Sequence, residues 1–224
     1  MTASPARPFL GVLMLDTRFP RPPGDVGNEE TYRRAQIPVR FLKVEGASPR
    51  RIVQEADPRL LDPFVQAARA LVAQGAALIT TSCGFLAAYQ SVLAAAVPVP
   101  VVTSSILQCQ GFARPGIVTF DAAALTAAIL AEAHVPVGTP VQGLAVDCEM
   151  HRRILHDEER MDLAEAGRDV VRAATALVEA HPAVQDIVLE CTNMPPYRTA
   201  VATATGRRVH DIETLILARW RQLG

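Results

Sequence analysis

Short apolar runs alternate along the chain with stretches whose apolar positions recur every three or four residues. LGVLMLD (10–16) is a continuous apolar run ending on a carboxylate, the pattern of a strand buried on both faces. IPVRFLKV (37–44) predicts a second strand. Residues 58–75 carry Leu60, Leu61, Phe64, Val65, Ala68, Leu71 and Val72 at helical spacing and stop at Gly75. AALITTS (76–82) follows as a third strand, FLAAYQSVLAAA (85–96) as a helix, and VPVPVVTSS (97–105) contains a fourth strand. The second half keeps this order. GIVTFD (116–121) predicts a strand, AAALTAAILAEAH (122–134) a helix, QGLAVDC (142–148) a strand and 161–181 a long helix. QDIVLE (185–190) and GRRVHD (206–211) predict the last strands, and IETLILARWRQLG a closing helix.

The halves also match residue by residue. Gly11 and Asp16 recur as Gly116 and Asp121, both 105 positions on. Cys83 and Tyr89 recur as Cys191 and Tyr197, both 108 positions on. The pattern predicts an α/β fold of two pseudo-symmetric βα domains, each a parallel sheet flanked by helices. Residues 1–103 with 211–224 form the first, and residues 104–210 the second.

Composition narrows the function. Of 224 residues, 22 are basic and 23 acidic, giving a net charge of -1. That lacks the basic bias of a nucleic-acid binder. No run of apolar residues is long enough to span a membrane. MTASPARP lacks the apolar core and cleavage site of a secretory signal, so a cytoplasmic protein is expected. The four cysteines, Cys83, Cys109, Cys148 and Cys191, have no zinc-ribbon spacing and read as free thiols.

Cys83 and Cys191 each follow a strand and precede a helix or turn. In parallel sheets this is the edge at which ligands bind. A thiol facing helix-start N–H groups is expected to have its pKa lowered toward neutrality. Ser82 and Gly84 leave room for a ligand, and Thr192 and Asn193 offer hydrogen bonds. Cys109 and Cys148 read as packing residues.

On these residues the chain resembles the aspartate/glutamate racemase superfamily, which includes hydantoin racemases, maleate isomerase and arylmalonate decarboxylase. The resemblance rests on the repeated halves, the strand ending in Asp16, the Cys83 segment and ECTN at 190–193. It implies a cleft between the domains with one cysteine on each wall, and chemistry that needs no cofactor or metal. One thiolate removes the proton beside a carboxyl or carbonyl group, and the opposite thiol returns one. Thr81, Ser82, Gly84, Thr192, Asn193 and Asn28 are the expected substrate contacts, with Asp16 orienting. Gly84-Phe85 stands where glutamate racemases have Asn-Thr, Asn193 where they have His, and Asp16-Thr17-Arg18 where they have Asp-Ser-Gly. These differences remove groups that would hold a glutamate.

The expected activity is a cofactor-independent racemase or epimerase of an amino acid or related α-carbonyl compound. Its partner is a small carboxylate or amide. A maleate-type cis–trans isomerase with a nucleophilic cysteine and a non-catalytic ligand-binding protein remain alternatives. The loop 18–32, with Asp25 and Asn28, can lid the cleft or only build turns. Asp121 reads as a helix cap, and 147–159 as a solvated charged segment rather than a metal site. His210 can line the cleft. The C-terminal helix can pack on its own domain or on a second subunit, leaving a homodimer open.

Overall fold

The computed structural model describes residues 7–223. Residues 1–6, which hold most of the MTASPARP stretch, and Gly224 lie outside the described residues. The strands form two four-stranded, all-parallel sheets. In the first, β1 (Phe9–Leu15), β2 (Val39–Val44), β3 (Ala76–Thr81) and β4 (Val101–Val102) take the order β2-β1-β3-β4. In the second, β5 (Pro115–Thr119), β6 (Val141–Gly143), β7 (Asp186–Leu189) and β8 (Arg208–His210) take the order β6-β5-β7-β8. The two orders are the same, so the repeat in the sequence is a repeat of topology. The apolar runs are the central strands, buried on both faces as their composition requires.

The helices are α1 (Glu30–Arg33), α2 (Leu61–Ala73), α3 (Gln90–Ala96), α4 (Ala127–Glu132), α5 (Glu149–Leu155), α6 (Leu163–Ala180), α7 (Arg198–Thr205) and α8 (Ile212–Arg221). Matched glycines explain how the longest helix of each half seats on its sheet. A Cβ on Gly11 of β1 would lie 3.0 Å from the Leu71 side chain of α2, and one on Gly116 of β5 would lie 3.1 Å from Leu177 of α6. A side chain there would push the leucine aside, so the bare backbone lets each helix sit close. The matched tyrosines serve the same packing. Tyr89 lies against Phe64 of α2, and Tyr197 fits over Gly167 of α6. Helix α8 returns to the first half, where Ile212, Leu215 and Ile216 pack with Leu10, Val12 and Leu78.

Three local expectations are corrected. Residues 122–134 are not one helix. Asp121 Oδ1 accepts the Ala123 and Ala124 N–H groups and holds a turn, and Thr126 caps a shorter helix, α4. The strand expected over 142–148 ends at Gly143, because Asp147 takes a positive φ of 63° and Cys148 starts α5. The segment 147–159 contains that helix rather than being solvated throughout. Met150, His151 and Ile154 form a buried face, while Glu149, Arg152, Arg153 and Glu158 pair on the outside.

Candidate active site

Each cysteine sits where its half's second central strand ends. Cys83 follows β3 and opens a 3-10 turn over Gly84–Tyr89. Cys191 follows β7 after a single residue, Glu190. The two loops are tied together. The Thr192 hydroxyl donates to the Ser82 carbonyl at 2.7 Å, and the Ser105 hydroxyl donates to the Leu189 carbonyl at 2.6 Å. Ser82 Oγ also accepts the Leu15 N–H at 2.8 Å, joining the ends of β1 and β3. The Thr192–Ser82 bond crosses between the halves, and all three satisfy buried groups and so help fix the thiol positions.

Both thiols line one narrow pocket, with a free volume of about 20 Å³. Its apolar wall is Leu15, Phe19, Val53, Phe85, Phe120 and Ile154. Its polar wall is Ser82, Glu190, Thr192 and Asn193. No Lys, Arg or His lines it among the described residues.

Burial controls the charges here. It pushes the Cys83 thiol up to about 12, with the nearby Glu190 carboxyl adding to the effect. The Phe85 and Leu86 N–H groups pull the other way and lose. Cys191 is raised well above the ordinary thiol range, again by burial first and Glu190 second. The expectation of lowered thiol pKa values is therefore corrected. The helix-start N–H groups are present, but the two halves close over the sulfurs and desolvation outweighs them. Glu190 itself is raised from 4.5 to about 7 by burial, although the Thr119 hydroxyl and Phe120 N–H favour its charged form.

That shift has a sign in stability. Between pH 4.5 and about 7 the unfolded chain has lost a proton that folded Glu190 keeps. Stability therefore falls as pH rises, by roughly 3 kcal/mol once pH exceeds the folded pKa. Urea unfolding across this range should show the fall in the wild type and not in Glu190→Gln. Equal slopes in both proteins would place its origin elsewhere.

Asn193 is held on both sides. The Cys191 S–H donates to Asn193 Oδ1 at 3.5 Å, and Asn193 Nδ2 donates to Asp25 Oδ2 at 2.5 Å. A carboxylate only accepts, so it turns the amide nitrogen toward itself and the oxygen toward the thiol. Asp25 Oδ1 in turn accepts from Arg21 Nη1 at 2.9 Å and from the Gly27 N–H at 2.7 Å.

No known family profile matches the chain. Over 217 residues it is 28% identical to a dimethylsulfoniopropionate lyase of Durusdinium sp. clade D, covering 90% of this chain and 70% of that protein. Dimethylsulfoniopropionate lyase 5 of Emiliania huxleyi (strain CCMP1516) is also 28% identical over 94% of this chain, which spans only 44% of that protein. Among solved structures, unliganded arylmalonate decarboxylase superposes with a TM-score of 0.59 at 21% identity, over 97% of this chain and 92% of that one. Glutamate racemase from Francisella tularensis subsp. tularensis SCHU S4, in complex with D-glutamate, gives 0.58 at 13% identity, over 96% and 80%. The chain has the aspartate/glutamate racemase fold.

Within this racemase fold, Cys83, Cys191, Ser82, Gly84, Thr192 and Asn193 meet at the pocket. Thr81, Asp16 and Asn28 do not line it. The Thr81 hydroxyl is engaged by the Thr103 and Cys83 carbonyls. Asp16 pairs with Lys43 at 3.0 Å at the surface, and that contact, more than any other, lowers its pKa. Asn28 builds a turn, donating to the Arg21 carbonyl and accepting the Glu30 N–H. His210 contacts Asp186 and stacks on Phe112, away from the pocket. Cys109 is fully buried in the core, and Cys148 precedes α5 near Asp169. No group of three or more His, Cys, Asp or Glu is placed to hold a metal among the described residues, and none of their helices is long and apolar enough to cross a membrane. Sequence reasoning missed Glu190 as a site residue, along with Phe19, Phe120 and Ile154. Glu190 had a signal in its place beside Cys191, and Phe19 in its place on the loop 18–32.

Proposed function

We propose that the protein is a cofactor-independent lyase that removes the α-proton of a small carboxylate and expels a leaving group from the β-carbon. The observation that supports it best is the pocket: two thiols at the ends of matched strands, in an apolar chamber with no cationic side chain. Such a chamber suits a substrate with one carboxylate and an apolar or cationic remainder, and leaves a second carboxylate without a counter-charge. Phe19, Phe85 and Phe120 line the pocket and give a sulfonium an aromatic environment. The relatives' names point to dimethylsulfoniopropionate as the substrate to test.

The chemistry balances simply. A Cys83 thiolate takes the α-proton. The electron pair forms the carbon–carbon double bond, and the sulfonium leaves as neutral dimethyl sulfide, giving acrylate. The carboxylate charge that builds up during proton removal would meet the backbone N–H groups of the Cys191 loop, because the Thr192 hydroxyl and the Asn193 amide are already engaged by Ser82, Asp25 and Cys191. Cys191 shares its proton with Asn193 Oδ1 and so acts as a donor rather than a base.

The matched thiols also favour a second reading, a two-base racemase in which Cys191 delivers a proton to the opposite face. One experiment separates the two. Incubation with dimethylsulfoniopropionate, read by headspace gas chromatography and by proton NMR in deuterium oxide, is expected to give dimethyl sulfide and acrylate in equal amounts. Loss of an amino-acid or hydantoin α-proton signal with no dimethyl sulfide would replace the lyase with the racemase. Ligand binding without either reaction would replace both with a binding protein.

A further inference from the structure

We infer that Glu190 is the internal proton acceptor for Cys83, taking the thiol proton inside the closed pocket so that the base forms without an exchange with solvent. The inference rests on the α-proton-abstraction reading above and adds to it the origin of the base.

Glu190 is fully buried and lies in the wall of the same pocket as both thiols. Its Oε2 accepts the Thr119 hydroxyl at 2.9 Å, whereas its Oε1 is buried with no hydrogen-bond partner. A native fold rarely leaves a buried carboxyl oxygen in that state without a use for it. Gly84 explains how the oxygen is admitted. A Cβ at that position would overlap Glu190 Oε1 and lie 2.9 Å from Glu190 Cδ, so the carboxyl rests against the residue that follows Cys83.

The charged and titratable groups around Glu190 are few. Cys83 comes from the loop after β3, and Cys191 from Glu190's own loop. Thr119 faces it from β5. His151 of α5 stands behind Phe120, and Arg21 and Asp25 act on the thiols from the loop after β1. His151 is stacked face to face on Phe120 and does not line the pocket. Arg21 is a cation, and Asp25 is engaged by Arg21, Gly27 and Asn193.

The step conserves charge. The Cys83 S–H bond breaks, an O–H bond forms on Glu190, sulfur keeps the electron pair, and one negative charge moves from carboxylate to thiolate. A pocket that must also take a carboxylate then gains no extra charge. Cys83 is the partner rather than Cys191 because two N–H groups, Phe85 and Leu86, favour its thiolate against one, Asn193, at Cys191, and Asn193 Oδ1 also holds the proton on Cys191. Glu190, raised to about 7, is poised to release the proton to solvent after turnover.

Coupled titration gives a test that does not depend on the substrate. Iodoacetamide labelling of each cysteine, resolved by mass spectrometry, is followed on the full chain from about pH 5 to 9. If Glu190 and Cys83 share one proton, the Cys83 rate climbs to near neutrality and levels off, because the thiolate share of the singly deprotonated pair is fixed. Glu190→Gln should instead climb about tenfold per pH unit without levelling. Thr119→Val, which removes a donor to the carboxylate, should move the levelling point to higher pH. It serves also if the glutamine variant fails to fold. An unlevelled wild-type profile, levelling at Cys191 instead, absence of Cys83 labelling, or a Thr119→Val profile that does not move overturns the assignment. Dimethyl sulfide release from the same samples keeps the two ideas apart. Levelling without product supports the proton acceptor and removes the lyase, and product without levelling does the reverse.

Discussion

Cys83→Ala is expected to lower dimethyl sulfide release by about a thousandfold or more, the scale of removing a positioned base. Cys191→Ala should cost the same reaction only about tenfold. Elimination of a neutral sulfide needs one base and no acid, since dimethyl sulfide leaves without a proton. Racemisation needs both thiols, so there the two variants should fall equally. Both residues are buried loop positions rather than large core side chains, and each change should cost only about 1 kcal/mol of stability. Circular dichroism and urea unfolding will therefore separate lost chemistry from lost fold. The double variant should be no slower than Cys83→Ala alone, because without the base the second thiol has no step to assist. Equal thousandfold losses from both single variants would remove the elimination mechanism and restore the two-base one.

What could be read in the chain and what could not divide along a physical line. The duplicated topology was legible because Gly11 and Gly116, and Cys83 and Cys191, keep constant spacing, and because doubly buried strands leave continuous apolar runs. The strand ends placed both cysteines on the ligand-binding edge for the same reason. The environment of the thiols was not legible. Helix-start N–H groups are local and visible in sequence, but desolvation arises only when Phe19, Val53, Phe120 and Ile154, distant in the chain, close on one pocket. Helix α5 was hidden because only three of its seven residues face inward, among charged neighbours. Asp25 stood in a loop rich in Gly and Pro, where turn-building accounts for most polar residues. Its contact with Asn193 spans 168 positions, and no local pattern announces such a bond.

That contact carries the second large effect. Asp25→Asn is expected to lower the unfolding free energy by about 3 kcal/mol, because breaking one side of a buried ion pair leaves the other charge uncompensated. Asp25 is fully buried, and the side chain of Arg21 is only 11% exposed. The Gly27 N–H and the Asn193 amide lose their charged acceptor in the same step. The loop that brings Phe19 to the pocket should loosen with them, since Arg21 also donates to Thr17 and stacks over Phe19 at 4.5 Å. With no carboxylate to orient it, the Asn193 amide can turn its nitrogen toward Cys191 and withdraw the acceptor of the thiol proton. Substrate affinity should then weaken together with stability. The pair, rather than either residue, is the stabilising unit, so Arg21→Met combined with Asp25→Asn should recover part of the loss. Urea unfolding of the two singles and the double decides this. A double variant that costs the full sum of the singles would mean that Asp25 acts through its neutral contacts alone, and that the charge of Arg21 has no part in holding the loop on the site.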